Sequence, residues 1–199
     1  MDNRKGIALL HLKPLVLVGF LTISHVPPGL TAPLNYNDIA SILLGRCAIC
    51  HVPNGMMGDP PEGYRLDSYE ATVSSVDRVR VVPGNALASE LYRRIKGHSL
   101  PRMPFNGPPF LTDVEIQRVG QWIDDGARDA AGNLTINNSI MRVRLHGKLS
   151  HQWALDGLEL RVHSGTRFKK SPKIGSYVRV DGRVSIDGRT IIADRIKKR

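Results

Sequence analysis

Hydrophobic positions change their spacing along this chain. Residues 14–23 form a mostly apolar run, Pro14-Leu-Val-Leu-Val-Gly-Phe-Leu-Thr-Ile23. Between Ile39 and Ile123 apolar residues recur at i, i+3 and i+4, the spacing of one face of a helix. Ile39, Ile42 and Leu43 mark a short first helix. Leu87, Leu91, Tyr92 and Ile95 mark another, and Ile116, Val119, Trp122 and Ile123 mark a last one. From Met141 the spacing drops to two. Met141-Arg-Val-Arg-Leu-His-Gly-Lys-Leu149 alternates apolar with polar, as does Gly175-Ser-Tyr-Val-Arg-Val-Asp-Gly-Arg-Val184, and that is the pattern of half-buried strands.

Boundary residues sharpen these elements. Asn37 or Asp38 is placed to cap the first helix, and a short helix is expected around Ser68–Ser75. The helix beginning at Ala86 or Leu87 should end at Gly97. Thr112 followed by Glu115 is a capping box opening the last helix. Gly45 leaves room for a neighbour, so the last helix is expected to cross the first near it. Between these helices Pro53, Gly55, Gly58, Pro60, Pro61 and Gly63 exclude a long helix. Further on, Asp156-Gly157 signals a hairpin before Leu158–Val162, and Asp187-Gly188 marks the turn before Thr190–Ile196. About five strands in some sixty residues suggest a small closed barrel, which leaves no free edge.

The formal net charge of +10 is unevenly spread. Residues 33–137 carry 10 basic and 12 acidic side chains, whereas 138–199 carry 15 and 5. That asymmetry, with turn residues at Gly132-Asn133 and Asn137-Asn138, marks a boundary. The apolar run has Arg4 and Lys5 before it, helix-breaking Pro27, Pro28 and Gly29 after it, and a small residue at Ala32. It reads as a removed export signal over residues 1–32. The competing reading is an uncleaved inner-membrane anchor, but the run is about half the ~20 residues a spanning helix needs.

One motif carries chemistry. Cys47-Ala-Ile-Cys50-His51 holds the chain's only two cysteines, and CxxCH is the pattern for attaching a c-type haem. Each thiol forms a thioether with a vinyl group, and His51 offers an imidazole nitrogen to the iron. A disulfide across two residues closes a strained ring. A thioredoxin-like pair needs a βαβ context that the short helix does not supply. A zinc site needs further ligands, and neither a second CxxC nor an HxxxH is present. Met103, between Pro101 and Pro104 in a stiff extended loop, is the candidate second axial ligand, and Met/His ligation raises haem potential. Met56 and Met57 lie too near His51 to reach the opposite face. His98 is the alternative ligand, and Arg102 a candidate partner for a haem carboxylate. Trp122 reads as core packing.

Residues 33–134 resemble class I cytochrome c domains, with a CxxCH helix, a methionine loop and a C-terminal helix in that order. Arg80-Val-Val-Pro-Gly-Asn-Ala-Leu-Ala-Ser-Glu-Leu-Tyr-Arg-Arg-Ile, Leu100-Pro-Arg-Met-Pro-Phe and Trp122-Ile-Asp-Asp-Gly-Ala127 resemble the planctomycete-type modules in particular. The resemblance implies one covalent haem c on Cys47 and Cys50, with His51 and Met103 as iron ligands. Residues 138–199 resemble small OB-like β-barrel domains of exported bacterial proteins, which implies no activity. The expected fold is therefore two domains, an all-α cytochrome c fold followed by a small all-β OB-like barrel.

The expected function is electron transfer by a periplasmic monohaem cytochrome, not an enzyme. A haem-based sensor signalling through the barrel is the alternative. Arg142, Arg144, Arg161, Arg179 and Arg183 alternate with the barrel's apolar residues and should gather on its outward face, while His146, His151 and His163 read as surface residues. With Lys169, Lys170, Lys173 and the Arg195–Arg199 tail they suit docking on an acidic redox partner or an anionic membrane surface. Few aromatic stacking positions (Trp153, Phe168, Tyr177) and export argue against nucleic acid.

Overall fold

The computed structural model describes residues 32–74, 77–135 and 140–199. The leader expected over 1–32, apart from its last residue, and the turn at Asn137-Asn138 lie outside them. Among the described residues no helix is long and apolar enough to cross a membrane.

Four short helices form. Helix α1, Asn37–Arg46, buries Ile39, Ile42 and Leu43. Its N-cap is Tyr36 and makes no side-chain cap, whereas Asn37 or Asp38 was the expected position. The Asp38 carboxylate instead accepts from the Asn35 N–H at 2.8 Å. Helix α2 is a single turn, Tyr69–Thr72, capped by the Ser68 hydroxyl. Helix α3, Glu90–Lys96, is shorter than its periodicity suggests. Ser89 is committed elsewhere, its hydroxyl accepting from Val82 N–H at 2.8 Å and donating to the Asn85 carbonyl at 2.8 Å, which holds Ala86–Ser89 as a turn. Gly97 ends α3 with φ +88°. Helix α4, Asp113–Asp124, opens on the full Thr112/Glu115 capping box and buries Ile116, Val119, Trp122 and Ile123. Gly45 has nothing within 4 Å of where a Cβ would be, so no close crossing occurs there. The tight approach is at Gly120, where a Cβ would lie 2.8 Å from the Tyr92 ring.

Six strands follow: β1 (Arg142–Lys148), β2 (Ala154–Leu155), β3 (Leu158–Arg161), β4 (Arg167–Lys169), β5 (Tyr177–Val184) and β6 (Ile191–Lys198). Their order is β1-β5-β6-β3-β2, with β4 paired to β6. Burial alternates along β1 and β5 as the two-residue period requires. Asp156 and Gly157, with φ of 49° and 90°, turn β2 into β3; two successive positive φ values favour these residue types. A bridge between Leu149 and Leu155 and a 3.0 Å bond from Asp156 N–H to the Lys148 carbonyl bring the two ends of the strand path together.

The expected all-α cytochrome c fold is overturned, although a β domain is present. The described chain is mixed, with four short helices and a six-stranded sheet, and Ala32–Arg199 forms one compact unit. The reason lies in the packing. Val79, Val82 and Ala88, from the segment leading into α3, belong to the sheet's hydrophobic core, alongside Leu145, Val180 and Ile196. Val79 N–H also donates to the Arg142 carbonyl at 2.9 Å.

Arg93 completes this join. It projects from α3 with no exposed surface. Its guanidinium donates to the His146 carbonyl at 3.0 and 2.9 Å, to the Leu87 carbonyl at 3.1 Å and the Leu155 carbonyl at 3.4 Å, and to the Asp156 carboxylate. Gly147 on β1 makes the contact possible, because a Cβ there would collide with both Arg93 and Asp156. Removing one partner from a buried pair leaves the other charge uncompensated, which costs about 3–5 kcal/mol. Arg93→Ala should therefore lower stability by about that amount in urea unfolding followed by circular dichroism. A loss below ~1 kcal/mol would mean that Arg93 does not hold the helices to the sheet.

Candidate functional site

Helix α1 delivers the cysteine motif. Its last backbone bonds run on past Arg46, with Cys47 and Ala48 N–H groups both donating to Leu43 at 2.9 Å. Cys50 and His51 N–H groups then donate to the Cys47 carbonyl at 3.1 and 2.9 Å. This tight turn sets Cys47, Cys50 and His51 along one wall of a cleft. The following loop folds back on the motif. Met56 N–H donates to the Ile49 carbonyl at 2.9 Å, and Gly55 approaches so closely that a Cβ would lie 2.7 Å from the Cys50 carbonyl oxygen.

His51 is held by its backbone and by its ring. Its carbonyl accepts from Leu66 N–H at 2.9 Å. Its Nδ1 lies 2.9 Å from the Tyr64 carbonyl oxygen. A carbonyl oxygen only accepts, so this bond places the imidazole proton on Nδ1 and leaves a lone pair on Nε2. That is the tautomer and orientation a metal-binding imidazole needs. Tyr64 is fixed in turn, its hydroxyl donating to the Thr72 carbonyl at 3.0 Å and its ring lying 4.7 Å beneath the Arg80 guanidinium.

The two thiols are free. Burial pushes the Cys47 thiol up to about 11, so it stays protonated at neutral pH. A buried thiol of that kind makes a poor redox nucleophile. Among the described residues no group of three or more His, Cys, Asp or Glu side chains is arranged for a metal ion.

The cleft has a volume of about 600 Å³, within the ~300–1,000 Å³ of sites that enclose cofactor-sized molecules. Leu66, Leu91 and Ile95 line it, with Pro101, Met103 and Pro104 also on its wall. Met103 is half-buried against the helical core, its N–H donating to the Arg94 carbonyl at 3.1 Å. The Arg94 side chain reaches back to the Pro101 carbonyl at 3.2 Å. An apolar wall bearing a thiol pair, a polarised imidazole and a thioether suits the body of a porphyrin, so these residues fit a haem.

The other candidates fall elsewhere. Met57 lines the cleft but is largely exposed, as is Met56. His98 sits 3.9 Å from Asp156, and burial draws its imidazole down from the ordinary value, with Asp156 opposing. Arg102 donates to the Ile95 carbonyl at 3.2 Å and stacks on Phe110 at 4.3 Å. Neither His98 nor Arg102 lines the cleft. Trp122 is fully buried, its indole N–H donating to the Arg128 carbonyl at 2.9 Å.

The sheet forms the facing wall, which periodicity alone did not indicate. Arg144 and Arg179 point from β1 and β5 into ion pairs at the cleft, and with His146 and Arg199 they line it. His151 and His163 are exposed, but His146 is half-buried and stacks on Tyr177 with ring centroids 6.5 Å apart. The segment entering the methionine loop is tied to this wall. Ser99 Oγ donates to the His146 carbonyl at 3.0 Å, and Leu100 N–H donates to Tyr177 Oη at 2.6 Å.

Three carboxylates organise the charges. Burial pushes Glu62 up, and Arg78 and Arg80 more than reverse it, holding the carboxyl below its usual range. Burial likewise raises Asp181, and Arg144, Arg195 and Arg179 overcome that shift. Glu90 pairs with Arg78 at 3.0 Å and Arg94 at 3.2 Å.

His146 gives this wall a pH signature. Burial, with Arg94, Arg199 and Arg179 nearby, pulls it down to about 4, and Glu90 only partly opposes. A histidine kept neutral in the fold but free to protonate when unfolded supports stability fully above about pH 6.5. That support is lost as pH falls toward about 4. Unfolding measured between pH 7 and 4.5 should therefore show an acid-side slope that His146→Gln reduces. An unchanged slope would mean the ring is not desolvated against this wall. No family model, curated protein or solved structure matches the chain, so the reading of this cleft rests on its own geometry.

Proposed function

We propose that this protein carries one covalently attached haem c and transfers single electrons. Thioethers at Cys47 and Cys50 would tether the group, with His51 and Met103 holding its iron. When bound, such a haem supplies a one-electron Fe(III)/Fe(II) couple. The chain's own residues do the rest. The Tyr64 carbonyl orients His51. The Arg94 and Pro101 contacts hold the Met103 loop near its working position, which limits reorganisation when charge changes. Leu66, Leu91 and Ile95 exclude water.

The observation that carries this reading is the His51 Nδ1 bond to the Tyr64 carbonyl, beside two free thiols at the edge of a porphyrin-sized apolar cleft. The protonated Cys47 thiol weighs against the redox and zinc readings of the same motif. The role is that of an electron carrier rather than an enzyme, and export to the periplasm belongs to the same proposal. The outward charges serve docking. Arg167, Lys169, Lys170 and Lys173 are exposed around β4, a basic surface that speeds encounter with an acidic redox partner.

Full-length protein matured in an export-competent host tests this. The haem should stay with the polypeptide in acid–acetone, and Cys47→Ala with Cys50→Ala should release it. The reduced protein should take up carbon monoxide slowly or not at all, and Met103→Ala should bind it readily. Haem extracted freely from the unaltered protein would overturn attachment. Fast carbon monoxide uptake by it would overturn Met103 ligation and favour a ligand sensor.

A further inference from the structure

The cleft carries more positive charge than its own residues neutralise. Around it six guanidiniums, those of Arg78, Arg80, Arg94, Arg144, Arg179 and Arg195, share four carboxylates, Glu62, Asp77, Glu90 and Asp181. Asp181 alone accepts from Arg144 at 3.1 Å, Arg179 at 3.0 Å and Arg195 at 3.0 Å. Glu62 is divided among Arg78, Arg80 at 2.9 Å and Arg144 at 3.1 Å. The excess is two positive charges; on the same cleft Arg199, with no ion pair among the described residues, adds one and Asp59 removes one, while Arg46 is balanced by Glu115. Several of these groups are poorly solvated. Arg78 and Arg80 are about nine-tenths buried, and unbalanced charge held away from water is costly.

Two nitrogens strengthen the point. His146 Nδ1 and Arg78 Nε are buried without any hydrogen-bond partner, and both residues line the cleft. Buried polar groups are normally paired, and Arg78 Nε–H can only donate, so its unmatched donor beside an excess of arginine indicates an anionic group missing from the count. Guanidinium geometry suits carboxylate, bidentately where two N–H groups are presented.

We propose that the sheet wall is the acid-group subsite of the cofactor cleft, with Arg144 on β1, Arg179 on β5 and Arg199 holding the two carboxylates of the bound porphyrin. The inference rests on the haem reading above and extends it. The β sheet becomes half of the cofactor site in addition to bearing an outward basic surface. The surplus is positive, the sign that the two negative charges of a haem's propionates would offset.

The test uses the full chain carrying Cys47→Ala and Cys50→Ala, so that porphyrin binding is reversible. Affinity is measured by titration with hemin and with hemin dimethyl ester, which differ only in whether the two acid groups are free. In this background Arg179→Gln and, separately, Arg199→Gln should weaken hemin binding by about tenfold to a hundredfold, the range of a charge-assisted hydrogen bond. Both should leave the dimethyl ester within about twofold of its starting affinity. Lys169→Gln, on the exposed face of β4, should change neither. Arg199 is exposed and makes no side-chain ion pair among the described residues, so its replacement needs no refolding of the sheet. Equal losses for acid and ester, no loss for either, or binding of neither porphyrin would each overturn the inference. The haem reading is judged separately, by acid–acetone extraction of the matured wild-type protein. Firmly held haem together with an insensitive hemin titration would retire the subsite and leave attachment standing.

Discussion

A guanidinium with no exposed surface must find acceptors inside the protein, and Arg93 finds them on the far side of an interface. Two of its acceptors, the Leu155 carbonyl and the Asp156 carboxylate, sit at the β2–β3 turn, another is the β1 carbonyl of His146, and only the Leu87 carbonyl, in the turn before α3, lies on its own side. Because the group cannot be left unpaired, the position of α3 relative to the sheet is set by where those acceptors lie. Arg94, the next residue, carries the same helix to the Met103 loop through its carbonyl and its side chain. The loop is tied to the sheet again through Ser99 and Leu100. One buried charge therefore helps to fix where α3, and the methionine loop attached to it, lie against the sheet.

This arrangement changes the role of the C-terminal sheet. A basic β segment after a haem-motif segment invites the reading of a separate docking module. Instead Val79, Val82 and Ala88 share the sheet's core, and Arg144 and Arg179 turn toward the cleft. A pocket built between two segments places an apolar floor and a charged wall on different elements, and each can then be adjusted with less effect on the other. The apolar residues come mainly from the helical segment. The sheet supplies arginine and His146.

Much of this was legible in the residues. Thr112 and Glu115 announced α4, and Asp156-Gly157 announced a hairpin, because capping and turn chemistry act within a few residues. Alternation along Arg142–Lys148 and Tyr177–Val184 gave the strands. Cys47, Cys50, His51 and Met103 were singled out by spacing and now line one cleft. Arg93 was not legible, since an arginine on a helix with Lys96 nearby looks like part of a solvated face. Its burial is decided by residues more than fifty positions away. Gly147 held a partial signal: a glycine inside a strand marks a close approach, though not what approaches. His146 was read as a surface residue because alternation says which residues point away from the sheet core, not what covers that face. The Tyr64 carbonyl that orients His51 is a backbone atom, and no side-chain pattern reports it. The all-α cytochrome fold failed for the same reason: local patterns describe elements, while the shared core of Val79, Val82 and Ala88 with the sheet is a long-range fact.

The central claim is that one cofactor touches both walls of the cleft, the cysteine and methionine segments on one side and strands β1 and β5 on the other. Amide hydrogen exchange compared between the matured protein and the Cys47→Ala, Cys50→Ala chain without haem addresses it directly. Haem attachment should slow exchange in residues 47–66 and 98–105 and, to a similar degree, in Arg142–Lys148 and Tyr177–Val184. Slowing confined to the first two segments, with both strands unchanged, would contradict the account.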